Sequence, residues 1–378
     1  MQKKIIALAI AAAFSAPAFA DTSNVTVYGL LNADFESVTS SNVNTAAAPF
    51  SNTLNRVVSN ASRVGIKGTE DLGDGLKGIY QLEAQFNVDG TGGSGFGGGT
   101  RNSNVGLTGG FGTAFLGNWD TPYKVTHNKI ELFDNTTFAS ALNVLGRTSA
   151  TNGNFNTRLA NSVQYWTPVL SGFQGKLAYG TDNLKSVNAA GTGTNTSRVS
   201  LSATYENDMF YAAYGFEAVK DLALGTSTAA TPVKTAGDKS DGSRLVGAYK
   251  FDNGLVGLTY EKLSGSVAAT GVSTSRSAWE LAGKYTMGAN NFGLTYVSAG
   301  NLGGVVNTGA KQLSLRYGYT LSKRTEVFGM YSALTNDSGA MYNLSAGNAV
   351  TAAGAAPAAL NGVGSKLSGF GAGLVHTF

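Results

Sequence analysis

From Val25 to Phe378 the chain alternates apolar and polar residues with a period of two, in segments of about ten residues, and no helical stripe competes over most of that length. Each such segment is a strand with one apolar and one polar face. In 25–38 one face carries Val25, Val27, Gly29, Leu31, Ala33 and Phe35, and the other carries Thr26, Tyr28, Asn32, Asp34 and Glu36. In the hairpin around 70–75, where Gly and Asp supply the turn geometry, Val64, Ile66, Tyr80, Leu82 and Phe86 share one face. Arg63, Lys67, Gln81, Glu83 and Gln85 share the other.

About sixteen such strands can be counted, an even number, and short and long polar connections alternate between them. Sixteen strands of about ten residues use roughly 160 positions and leave roughly 200 for connections, so one rim must carry long loops. The long connections are read at 39–55, 89–99, 120–157, 182–197, 220–241, 265–274, 300–311 and 335–365, with the Ala/Gly-rich 345–364 as flexible loop. The fold class is therefore all-β, an antiparallel transmembrane β-barrel with its apolar face outward to lipid and its polar face inward to a lumen.

The rest of the chain agrees. Lys3 and Lys4, the apolar run 5–14 and the small-x-small Ala18-Phe19-Ala20 read as a cleaved export signal over 1–20, leaving 21–378 as the mature chain. That run is too short to span a bilayer as a helix, and no later stretch of eighteen apolar residues exists. Charged residues are only 13%, against roughly 25% in soluble domains, while Tyr 16 and Phe 19 suit interfacial aromatic girdles. With no cysteine, disulfides and thiolate metal sites are excluded. Loss of Lys3 and Lys4 lowers Lys+Arg from 27 to 25 against 23 Asp+Glu, a balance of +2 that speaks against a nucleic-acid partner.

Several stretches resemble the general trimeric porins of β-proteobacterial outer membranes: Val25-Thr26-Val27-Tyr28-Gly29, the run from Ser62 to Leu76, Val105-Gly106-Leu107, Phe111-Gly112-Thr113, Asn161-Ser162-Val163-Gln164-Tyr165 and the closing His376-Thr377-Phe378. The resemblance spans the mature chain and is most specific in its first half. It implies an outer-membrane, cofactor-free homotrimer passing small hydrophilic solutes and inorganic ions. It also implies lipid and the outer-membrane barrel assembly machinery as partners, with Phe378 as the carboxy-terminal assembly signal.

Relatives of this kind narrow the pore with a third loop folded into the lumen opposite a basic wall. Carried onto this chain, the loop is 120–157, with Asp120, Glu131 and Asp134 as its acids, and the wall is Arg63, Arg101 and Arg158. Lys67, Gln81, Glu83 and Gln85 would line the pore beside them. Where many relatives carry an arginine after Leu-Gly, this chain has Asn118, which would weaken a preference for anions. The wall arginines still lean the expectation toward mild anion selectivity.

Other readings are weaker. A substrate-selective channel calls for a ladder of lumenal aromatic residues, which the alternation does not trace. A surface adhesion barrel would keep its function in the long loops. The string Gly93-Ser94-Gly95-Phe96-Gly97-Gly98 matches a dinucleotide-binding pattern but lacks a following helix, and two histidines, His127 and His376, are too few and too far apart for a metal site. No nucleophile, base and orienting group come together, which argues against an enzyme.

Overall fold

The computed structural model describes residues 24–42, 50–90, 99–133, 137–148, 155–182, 186–187, 193–224, 234–344 and 363–378. The expected signal segment, Asp134, the 93–98 glycine string and most of 345–364 lie outside the described residues. In chain order the strands are β1 (Asn24–Asn42), β2 (Phe50–Ser59), β3 (Arg63–Gly73), β4 (Leu76–Gln85), β5 (Ser103–Gly109), β6 (Gly112–Asp120), β7 (Arg158–Trp166) and β8 (Phe173–Thr181). A two-residue pair, β9 (Ser186–Val187) and β10 (Gly193–Thr194), stands apart. The sheet resumes with β11 (Ser197–Glu206), β12 (Phe210–Lys220), β13 (Lys239–Phe251), β14 (Gly254–Ser266), β15 (Ser273–Met287), β16 (Asn290–Ala299), β17 (Ala310–Ser322), β18 (Thr325–Asn336) and β19 (Lys366–Thr377).

Each strand pairs antiparallel with its neighbours, and β1 pairs with β19, so the sheet closes on itself and leaves no edge. β2 and β3 are two halves of one strand, because both pair with β1; the seventeen segments of the sheet thus make sixteen strands. The break falls at Asn60-Ala61-Ser62, where Ala61 takes φ 54°. Buried polar groups hold it: the Asn60 amide donates to Asp34 Oδ1 at 2.6 Å, and Ser62 Oγ accepts from Asn32 N at 2.9 Å while donating to Asn32 O at 3.0 Å.

Side-chain parity follows the sequence. Val25, Val27, Phe35, Leu82, Val105, Leu116, Val163, Leu177 and Phe370 are exposed on the outside, whereas Asn32, Asp34, Glu36 and Glu83 are buried on the inside. Water could not tolerate so much exposed apolar surface; hydrocarbon requires it. The β3–β4 turn needs positive φ at Gly73, Asp74 and Gly75 (87°, 51° and 76°), and Asp71 Oδ1 caps it by accepting from Gly73 N at 2.9 Å. Strand bounds differ from the sequence reading most at 39–55. The stretch 39–55 is not all loop: β1 runs to Asn42 and β2 starts at Phe50, paired through Thr39 and Thr53, whose hydroxyls meet at 2.9 Å. Polar residues keep a ladder going, so loss of apolar alternation does not end a strand.

The connection 121–157 is the longest and does not stay at the rim. It opens with a short helix, α1 (Pro122–Val125), with Pro at its start and Thr121 Oγ1 accepting from Lys124 N at 3.3 Å. A 3₁₀ turn, Ala141–Asn143, follows. Its apolar residues Phe133, Phe138, Ala139, Leu142, Val144 and Leu145 are buried against Val297 of β16, Phe328, Met330 and Leu334 of β18, and Leu367 of β19. Gly369 and Gly371 on the inner face of β19 leave the room that the Phe138 ring takes. Each such Phe or Leu, fully buried, contributes about 1.5–3 kcal/mol, so this loop supplies a core inside the barrel.

Candidate pore constriction

The loop is also tied to the wall by charge. Glu261 of β14 is wholly buried and uses both oxygens: Oε2 accepts from Tyr123 Oη at 2.7 Å and from Arg244 at 2.6 Å, and Oε1 accepts from Gly146 N at 2.8 Å and from Arg276 at 2.9 Å. Tyr123 and Gly146 belong to the loop, so one carboxylate on the wall grips it twice. The Arg244 guanidinium also lies over the Tyr123 ring at 4.3 Å and donates to Asn156 Oδ1 at 2.6 Å. A second tie is His127, with Nε2 at 2.6 Å from Glu280 and Nδ1 at 3.6 Å from Glu131.

With the loop held against β11–β19, polar space remains along the opposite arc, β3 to β7. Arg63, Arg101 and Arg158 all line this space, as do Lys124 and Arg147 from the loop and the carboxylates of Glu83 and Asp120. Glu83 receives Arg101 Nε at 2.7 Å and Tyr28 Oη at 2.9 Å, and stands 3.7 Å from Arg63 Nε. Asp120 meets Lys124 Nζ at 2.7 Å and Arg158 at 3.5 Å, while Arg158 Nε donates to Asn102 Oδ1 at 2.6 Å. Five cations against two carboxylates leave this lining at +3. The acids do not form a face opposite the arginines; among the described residues they are interleaved with them.

Glu131 is not one of them. It points to the far wall, where Oε1 accepts from Phe133 N at 2.9 Å and Oε2 from Ser140 Oγ at 3.1 Å. Burial pushes its carboxyl up to about 7, with His127 partly opposing. For His127 burial alone would lower the value, but the carboxylates of Glu280 and Glu131 outweigh it and raise it. Gln85 lines the same space as the arginines, and Lys67 and Gln81 line the lumen nearer the short turns. Asn118 donates to the carbonyls of Thr100 at 3.2 Å and Arg101 at 3.0 Å, and so fastens the segment that presents Arg101. Phe378 exchanges two backbone hydrogen bonds with Gly29 (3.0 and 3.1 Å) at the β1–β19 seam.

The model of the Gram-negative porin family matches residues 7–340. The chain belongs to that family. As a porin it lies in the outer membrane and forms a channel across it. Outer membrane porin protein 32 of Delftia acidovorans is 28% identical to this porin over 362 residues, 92% of this chain and 93% of that protein. Major outer membrane protein P.IB of Neisseria lactamica is 29% identical over 270 residues, 71% of this chain and 73% of that protein. Among solved structures, the anion-selective porin from Comamonas acidovorans superposes with a TM-score of 0.73 at 23% identity, over 94% of this chain and all of that one. OmpT of Vibrio cholerae gives 0.64 at 17% identity, over 95% and 98%.

Three groups in this porin escaped the sequence reading. The Arg244–Glu261–Arg276 cluster sits on inward positions of three successive strands, a signal visible only once register is known. Lys124 and Arg147 of the loop belong to the lining as well. Phe115, Trp119 and Trp166 form a lumenal aromatic cluster, with ring centroids 5.1–6.0 Å apart. The sequence reading traced no lumenal ladder of aromatic residues; these three rings are a single cluster, brought together by the register between β6 and β7.

Proposed function

We propose that this porin is a general diffusion channel for small hydrophilic solutes and ions, mildly anion-selective, acting as a homotrimer. The observation that carries the reading is the +3 lining around Arg63, Arg101 and Arg158. A unit charge at 4 Å is worth about 1 kcal/mol even in bulk water, and a wall of lower dielectric focuses the field further. At physiological salt the screening length is about 8 Å, comparable to the distances inside a constriction, so an excess of anions persists there. No bond is made or broken; selection is by size and potential. A relative in structure is described as anion-selective, which agrees.

Arg63, Arg101, Arg158, Lys124 and Arg147 supply the positive potential, while Glu83 and Asp120 orient the arginines and trim it. Lys67, Gln81 and Gln85 extend the polar lining. The loop sets the bore. Export proceeds with cleavage before Asp21, and insertion uses the outer-membrane assembly machinery.

The test is planar-bilayer recording of the purified trimer across a salt gradient. Openings in groups of three and a reversal potential favouring chloride support the reading, with the preference reduced in Arg101→Ala and Arg158→Ala. A cation preference, or one untouched by both substitutions, overturns it.

A further inference from the structure

Two of the three tryptophans in the chain, Trp119 and Trp166, face water in the lumen rather than lipid. Both are partly exposed and lean edge-on against Phe115, which is buried beneath them. Gly106 of β5 lies against Phe115; a Cβ there would collide with the Ala114 carbonyl oxygen and with Cβ and Cα of Phe115, so the glycine lets β6 approach closely at the base of the cluster. The three rings border a lumenal space of about 380 Å³, a volume within the range of small-molecule sites. Lys67 and Gln81 line it as well, and Lys176 holds its ammonium 4.4 Å from the Trp166 ring.

This space adjoins the arginine cluster. Gln81 donates to Asn102 O at 2.8 Å, and Asn102 in turn accepts from Arg158. Trp119 immediately precedes Asp120, which pairs with Arg158. Trp166 Nε1 donates to Gln164 at 3.3 Å, satisfying its polar edge; Lys176 lies over one face of the ring, and the ring still borders the lumenal space. A solute leaving the arginines toward the short-turn rim therefore meets flat apolar surface flanked by lysines. A simple inorganic ion gains nothing from that surface. A ring carrying a carboxylate gains twice, because its charge can stay with the guanidinium groups while its face lies on indole.

We propose that the lumen beside the arginine cluster holds a subsite for aryl carboxylates, with the carboxylate at Arg158 and Arg101 and the ring against Trp119 and Trp166. The proposal rests on the anion-selective reading above. It makes the channel faster for such solutes at low concentration, since brief residence in the bore raises occupancy without closing it.

The probe is benzoate, with acetate as the ringless control, in single-channel recordings of the whole trimer in chloride. Millimolar benzoate raises open-channel noise and lowers chloride current; acetate at the same concentration does so far less. In Trp119→Leu and Trp166→Leu the ratio of benzoate to acetate affinity falls about five-fold each, equal to about 1 kcal/mol. Arg158→Ala weakens both anions and leaves the ratio near its starting value. Should the tryptophan variants fail to fold, fluorescence of Trp279→Phe, which keeps only the two lumenal indoles, reports the same site; benzoate quenches it saturably and acetate does not. Equal effects of benzoate and acetate on the wild-type channel overturn the subsite while leaving the anion path standing. A cation-preferring wild type overturns both.

Discussion

Glu261→Gln keeps the volume of the side chain and removes one charge from the point where the wall holds the loop. Both oxygens are fully engaged by donors, two from the loop and two from arginines. Whichever oxygen the amide nitrogen replaces, it faces two donors and accepts from neither. Arg244 and Arg276, each wholly buried, also lose their shared counter-charge. Breaking a buried pair from one side costs about 3–5 kcal/mol. Most of that cost falls on the docked loop, because undocking lets water reach both guanidinium groups. At about 1.4 kcal/mol per factor of ten, the ratio of docked to undocked loop falls roughly 10²- to 10³-fold. Single-channel recording reads this as frequent transitions between sublevels and a rise in open-channel noise. Tyr123→Phe is the graded control, since it removes one hydrogen bond from the same carboxylate at about 1–2 kcal/mol. A Glu261→Gln channel as quiet as wild type, or no noisier than Tyr123→Phe, refutes the account of the clamp.

Other substitutions test other parts. Glu83→Gln raises the lining from +3 to +4 and frees Arg101, so the reversal potential in a chloride gradient moves toward stronger anion preference, opposite in sign to Arg101→Ala. The loop carboxyl of Glu131 is raised by burial to about 7, so its contribution to docking is complete below its ordinary value of 4.5 and is lost as pH rises through about 7. Channel noise thus increases between pH 5 and 8, and Glu131→Gln flattens that profile. Gly29→Leu drives a side chain into the Phe378 ring at the seam; a cost of about 1–3 kcal/mol appears as a lower temperature for loss of the compact band in heat-modifiability gels. Mass spectrometry of the protein purified from outer membranes finds Asp21 as the first residue.

The strands were legible because lipid and water impose opposite demands on alternate residues, and that period survives in any register. The sixteen strands, the β3–β4 hairpin and the long connection 120–157 follow from it; that this connection folds into the pore came from the family resemblance alone. What alternation cannot carry is what one strand meets on another. Arg244, Glu261 and Arg276 were not singled out, because that they share one site depends on pairings such as Arg244 with Glu261. Glu131 and Asp120 looked equivalent in sequence, yet hydrogen bonds to Phe133 and Ser140 turn one toward the far wall, while Lys124 keeps the other at the arginines. The β1–β2 extension was missed for a different reason, since above the apolar band Thr39 and Thr53 pair without any hydrophobic signal.

Among the described residues the third loop packs on one side of the bore, and this divides the inner wall into two surfaces under different selection. Inward residues of β16 to β19, such as Val297, Met330 and Leu367, obey the packing rules of a soluble core, where a lost methyl group leaves a cavity. Inward residues of β3 to β7 such as Arg63, Lys67 and Arg158 line the water-filled space, where charge is consequential. Such a protein can change its diet by substitutions along one arc without endangering its fold. A library confined to that arc would yield folded channels of altered preference, and the same library on the other arc would mostly yield channels that fail to assemble.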